Sequence, residues 1–125
     1  MSLKNPPRRQ TFIVTTGFDN PNKVSVALAQ ASHSQALGND VLVFFVSDGF
    51  RWTLSGSQDA NDLCFGSIKE SITNLSNLGA RMLVCRTCYD KLDREGCDGL
   101  EDGVEMGTFS MVQDFIAENA VVFSY

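Results

Sequence analysis

Two cysteines three residues apart, Cys85 and Cys88, are the side chains of this sequence best placed to do chemistry. They stand where the apolar run Met82-Leu83-Val84 stops and a polar, helix-like segment, Arg86-Thr87-Cys88-Tyr89-Asp90, begins. In open α/β sheets, ligands and reactive groups collect at the carboxyl ends of strands and the amino ends of the helices that follow. A thiol at such a junction meets the partial positive charge of the helix end and its free backbone N–H groups, with Arg86 beside it, while Asp90 opposes these in part. The spacing therefore predicts that Cys85 or Cys88 is a reactive thiol, more acidic than usual, with Arg86 and Thr87 in support.

Other readings of the pair stay open. A thioredoxin-type dithiol sits early in its chain and uses a later proline, whereas Pro6, Pro7 and Pro21 all precede Cys85. A zinc site could draw on Cys64, Cys85, Cys88 and Cys97, although only one pair has knuckle spacing, and a whole helix separates Cys88 from Cys97. Cysteine is also a small hydrophobe, which is the expected fate of Cys64 between Leu63 and Phe65 and a fair one for Cys97. His33 stands alone in a helical segment and reads as solvent-facing. G-x-S-x-G, G-x-G-x-x-G and P-loop patterns do not occur, and the acidic run from Asp90 to Glu105 does not follow the order of a calcium loop. No metal and no cofactor is expected.

The elements that must position the pair alternate. Residues 1–10 read as a flexible N-terminal tail and residues 11–125 as one α/β domain. Thr11 to Thr16 predicts a strand, and Asn20-Pro21 opens a helix that carries Val24, Ala27, Leu28 and Ala31 and stops at Gly38. Val41 to Val46 is apolar throughout, the pattern of a strand covered on both faces. From Asp48 to Gly66 no period holds. A long loop in a compact domain is usually functional, and Phe50, Trp52, Leu54 and Phe65 require it to pack, so it is read as a lid or subunit contact with Asp48, Gly49 and Trp52 as candidate ligand contacts. Ser67 and Glu70 fit a capping box for a helix ending at Gly79, and Thr87 with Asp90 fits a second for a short helix reaching about Glu95. A strand at Val104 to Met106, a helix through Phe109, Val112, Phe115 and Ile116, and a strand from Ala120 to Tyr125 complete the chain. Such alternation implies a mainly parallel five-stranded sheet with helices on both faces.

Composition narrows the function. The chain has 125 residues, 43% hydrophobic and 20% charged, which suits one ordinary globular domain. No run approaches the length of a membrane span, and the basic start lacks the apolar core of a signal peptide, so a cytoplasmic protein with unpaired cysteines is expected. Net charge is −5, with nine acidic residues against Lys91 and Arg94 between Tyr89 and Glu118. That half would repel a phosphate backbone, so no nucleic-acid partner is expected.

Several segments together carry a resemblance. Ala36-Leu37-Gly38-Asn39-Asp40-Val41 leads into Val43-Phe44-Phe45-Val46-Ser47-Asp48-Gly49, and Leu78-Gly79-Ala80 leads into Val84-Cys85-Arg86-Thr87-Cys88. Arg94-Glu95-Gly96 follows, then Asp102-Gly103-Val104-Glu105-Met106-Gly107 and Val121-Val122-Phe123. In order and spacing these resemble the DsrE/DsrF-like family, which includes the TusD-related sulfur-relay proteins. The resemblance implies a three-layer α/β/α sandwich, assembly into a homotrimer or homohexamer, and a sulfurtransferase activity in which a cysteine after the third strand carries sulfane sulfur as a persulfide. The matching position is Cys85, and Cys88 matches the second cysteine of some members. Sulfur-donor and sulfur-acceptor proteins would be the partners. Two departures are visible: Arg94 and Gly96 are separated by Glu95 where the family has a compact pair, and the 48–66 loop is long. A non-catalytic oligomeric binding or scaffold protein of the same fold is the alternative.

Overall fold

The computed structural model describes residues 8–117 and 120–125. Five strands, β1 (Arg9–Val14), β2 (Asp40–Phe45), β3 (Arg81–Cys85), β4 (Val104–Gly107) and β5 (Val121–Ser124), form one sheet in the order β4-β3-β2-β1-β5, every neighbouring pair parallel. The helices α1 (Pro21–Ala36), α2 (Ile68–Asn77), α3 (Arg86–Lys91) and α4 (Phe109–Ile116) lie in the connections, and a 3-10 helix spans Ser47–Thr53. Right-handed crossovers dictate which face each helix covers. From β1 to β4 the chain steps steadily in one direction, so α1 and α2 share a face. It then reverses to place β5 beyond β1, which puts α4 on the other.

Two apolar layers result. Phe12, Val14, Val41, Val43, Phe45, Met82 and Val84 face α1 and α2, while Leu42, Phe44, Leu83 and Cys85 face Val112 and Phe115 of α4. The alternation along β2 explains its uninterrupted apolar run, because successive side chains enter opposite layers and all five from Val41 to Phe45 are buried. Helix starts follow local chemistry. Asn20 accepts the Lys23 N–H at 3.3 Å ahead of Pro21, Ser67 accepts the Glu70 N–H at 3.1 Å, and Thr108 accepts the Met111 N–H at 3.3 Å.

Three expectations need correction. β1 begins at Arg9, earlier than expected, because Arg9 and Gln10 pair with Asp40 and Val41, leaving only residues 1–7 of the expected tail outside the described residues. The capping box at Thr87 does not form. β3 passes directly into α3, which makes Cys85 the N-cap and carries Thr87 inside the helix; α3 then ends at Lys91.

Of the segment expected as a lid or subunit contact, the 3-10 helix is packed into the core. Phe50 and Trp52 are both 0% exposed, and the Trp52 indole N–H donates to the Thr16 carbonyl at 3.0 Å. Lifting two such side chains out of the core would cost about 5 kcal/mol, so the 3-10 helix is part of the core, and Trp52 is no surface contact for a ligand. Lys69 ties the rest of the segment to α2, its ammonium donating to the carbonyls of Trp52 and Leu54 at 2.9 and 2.8 Å and to Ser57 Oγ at 2.7 Å.

Candidate functional site

Cys85 ends β3 beside the last residue of β4, Gly107, with which it is in register. The absence of a side chain at Gly107 matters for packing, since a Cβ there would come within 2.8 Å of Leu83 Cβ. Cys85 is 5% exposed and belongs to the layer covered by α4. Cys88 lies one helical turn on, partly exposed and packed against both apolar layers. Cys88 packs against the same apolar layer that holds Cys85, and all four cysteines of the chain are free. Arg86 and Thr87, between them, are exposed.

The neighbouring strand supplies a residue that sequence reasoning missed. Immediately after β2, the backbone N–H of Ser47 donates to Cys88 Sγ at 3.2 Å across 41 residues of sequence. Ser47 has φ +56, a left-handed backbone that a residue with a Cβ adopts at a cost. Close packing on either side holds it there. At Gly49 a Cβ would stand 2.1 Å from the Val14 carbonyl oxygen, and at Gly17 a Cβ would stand 2.9 Å from Asp48 Cβ. Two glycines thus let the ends of β1 and β2 close together, and the Ser47 peptide turns towards the cysteine.

Opposing effects act on Cys88. Burial pushes its thiol up, the Ser47 N–H pulls it down, and the nearby Cys85 thiol together with the Asp48 carboxylate push it up again. The net direction is upward, opposite to the more acidic thiol expected at a helix amino end. At six residues α3 offers only a short stack of peptide dipoles, and desolvation exceeds what it and the single Ser47 donor return.

Asp48 is exposed and lies 3.9 Å from Arg51 Nε, while Gly49 is buried against β1. Arg51 also donates to the Asp93 carbonyl at 2.7 Å and lies 3.8 Å from Glu95. Through these contacts the 3-10 helix is fixed to the segment after α3. Arg94 stacks 4.3 Å over the Tyr89 ring centroid, so the arginine singled out in Arg94-Glu95-Gly96 braces α3. A cleft of about 210 Å³ opens nearby, with Phe18, Arg51, Arg94 and Cys97 among its lining residues.

The other cysteines do not join the pair. Cys64 is exposed, contrary to expectation, because its segment runs over the surface and Phe65 beside it is 57% exposed. Cys97 is partly buried in the larger layer. Among the described residues no three His, Cys, Asp or Glu side chains gather as a metal site requires, which sets aside the shared zinc cluster. His33 is exposed.

An all-parallel α/β domain with two thiols one helical turn apart at the carboxyl end of an inner strand defines a class of small dithiol-bearing α/β proteins. The chain belongs to the DsrE/DsrF-like family, which it matches over residues 9–125. Among solved structures it is similar to the YchN protein of E. coli, with a TM-score of 0.75 at 20% sequence identity, covering 94% of this chain and 99% of that one. At that identity the likeness concerns the fold. Among curated protein sequences no significant match is found. Among the described residues no helix is long and apolar enough to cross a membrane.

Proposed function

We propose that this protein is a cytoplasmic sulfur carrier that holds sulfane sulfur as a persulfide on Cys85 and passes it to a partner thiol. The observation that carries the reading is the placing of Cys85 at the end of β3 with Cys88 packed against the same layer one helical turn on, in a chain of the DsrE/DsrF-like family. The Cys85 thiolate attacks the outer sulfur of a donor persulfide, the donor's own sulfur leaves as a thiolate, and Cys85 keeps the transferred sulfur. Attack by an acceptor thiolate on that outer sulfur reverses the exchange. Each step is a thiolate displacement at sulfur and requires no further group. A reducing compartment suits four free thiols.

Assembly into a homotrimer or homohexamer is part of this proposal. Phe109 at 66% exposure on α4, and separately Val121 and Val122 of the edge strand β5 at 40% and 45%, supply apolar surface that subunits could cover.

The scaffold reading also has an observation in its favour: Cys85 is nearly buried and burial raises the Cys88 thiol. Intact-mass measurement after incubation with a persulfide donor separates the two readings. The carrier gains about 32 Da per sulfur, and the added sulfur is recovered on the peptide that holds Cys85. No gain on the unaltered protein, together with native-state resistance of both thiols to alkylation, would establish the scaffold instead.

A further inference from the structure

A carrier cysteine that is 5% exposed poses a problem of access, because thiol exchange requires the attacking and attacked sulfurs to meet in line. The partly exposed Cys88, one helical turn on, packs against the same apolar layer, and the Ser47 N–H is aimed at the Cys88 sulfur. Building on the sulfur-carrier reading, we infer that Cys88 is the outer station through which sulfur enters and leaves, that Cys85 is the sheltered station behind it, and that the Ser47 backbone N–H positions the outer sulfur.

The exchange balances without an oxidant or reductant. A Cys88 thiolate takes sulfur from the donor persulfide and becomes Cys88–Sγ–SδH. The Cys85 thiolate then attacks Sδ; the Cys85 Sγ–Sδ bond forms, the Cys88 Sγ–Sδ bond breaks, the proton stays with Sδ, and Cys88 leaves as a thiolate. Negative charge grows on Cys88 Sγ in this step, at the atom 3.2 Å from the Ser47 nitrogen. A hydrogen bond to a charged acceptor is stronger than one to a neutral acceptor, so the amide favours the departing thiolate over the starting persulfide. The reverse step returns sulfur to Cys88 for the acceptor. Burial of Cys85 then protects the stored persulfide from stray thiols, while exchange with partners takes place at the more accessible sulfur. The left-handed Ser47 peptide is part of the device, since its direction is set by packing at Gly49 and Gly17 and not by any need of the β2 strand.

The chain carries a convenient means of reading the two stations separately. Arg81, Arg86 and Lys91 place Cys85 and Cys88 on different tryptic peptides, 82–86 and 87–91. Full-length protein is mixed with inorganic polysulfide, quenched with an alkylating agent at short intervals, digested and analysed by mass spectrometry. The added sulfur should reach peptide 87–91 first and peptide 82–86 afterwards. Cys88→Ser should slow loading of Cys85 by about tenfold or more, and Cys85→Ser should leave loading of Cys88 at its original rate.

Sulfur appearing first on Cys85, or a Cys88→Ser protein that loads Cys85 at the unaltered rate, overturns the inference and leaves the carrier reading standing. Sulfur on neither peptide overturns both. The order of labelling in the unaltered protein decides the matter even if a serine variant folds poorly. For Ser47, replacing its amide by an ester removes the donor and should slow transfer from Cys88 to Cys85, whereas Ser47→Gly keeps the donor and the left-handed backbone and should transfer normally. An ester variant that transfers at the unaltered rate removes Ser47 from the scheme.

Discussion

Gly49→Ala tests whether the contact between the ends of β1 and β2 sets the geometry of the site. The added methyl would stand 2.1 Å from the Val14 carbonyl oxygen and 2.8 Å from its carbon, both backbone atoms that cannot swing aside. Relief requires the 3-10 helix to move outward by about 1 Å, and overpacking of this kind costs about 1–3 kcal/mol. The same carbonyl accepts the Val46 N–H at 3.0 Å, so the movement also weakens a hydrogen bond worth about 1 kcal/mol. Together these predict a loss of about 2–4 kcal/mol, and for a domain of this size a fall in Tm of about 10 °C. Differential scanning calorimetry measures the fall, and Gly56→Ala is the control. Gly56 has φ +81 and nothing within 4 Å of a built Cβ, so its substitution carries only backbone strain, about 1 kcal/mol. Because Gly49 lies two residues from Ser47, alkylation of Cys88 should change in Gly49→Ala and stay the same in Gly56→Ala. A Gly49→Ala protein that melts within about 2 °C of the unaltered one would refute the steric argument and with it the account of why Ser47 is held left-handed.

Two further variants probe the frame around the 3-10 helix. Lys69→Met should lower stability in urea titrations by about 2–4 kcal/mol, since the partly buried carbonyls of Trp52 and Leu54 lose their donor; an unchanged midpoint would mean that water replaces the ammonium without cost. Asp59 should give a pH signature. Burial pushes its carboxyl up, but hydrogen bonds from Ser67 Oγ and the N–H groups of Lys69 and Ala60, with the Lys69 charge, hold it below the ordinary 3.8. A depressed folded-state value means that the stabilisation is present above pH 3.8 and is lost as pH falls through the folded value. Asp59→Asn should therefore be less stable than the unaltered protein at neutral pH, and the gap should close under acid; a gap independent of pH would assign Asp59 a purely neutral hydrogen-bonding role.

The alternation of strands and helices was legible because each element carries a local signal. The apolar run through Val41-Leu42-Val43-Phe44-Phe45 reads as a strand between two layers, and the Asn20-Pro21 and Ser67 helix starts act within three residues of themselves. Errors arose where tertiary packing outweighed a local pattern. Thr87 has the right sequence for a cap, but β3 runs straight into α3, so the N-cap position falls on Cys85, with no side-chain cap hydrogen bond. The segment from Asp48 has no period because a 3-10 helix of seven residues is too short to display one, and the sequence shows that Trp52 must pack without showing that Thr16 accepts its N–H. Cys64 looks like a core residue between Leu63 and Phe65, yet its segment lies on the surface.

At the site, the thiols were legible and their environment was not. Cys85 and Cys88 are three residues apart, and a parallel strand followed by a helix must bring them to one edge of the sheet. Ser47 reaches them only because β2 and β3 are neighbours, a pairing that sequence order suggests and does not prove. One local signal exists: Ser47-Asp48-Gly49 closes an apolar strand with a turn-like cluster, and a glycine there marks a close backbone approach. It points, however, to the contact with β1 and not to the cysteine 41 residues away. The upward displacement of the Cys88 thiol has the same origin. A helix amino end is visible in sequence and argues for an acidic thiol, whereas desolvation by two apolar layers and the charge of Asp48 come from elements distant in the chain. The Cys88 thiol, raised by burial, resists ionisation at rest and gains most from a directed N–H when a sulfur departs as an anion. That is the behaviour expected of a station that releases its cargo to a waiting thiolate rather than of a freely reactive surface cysteine.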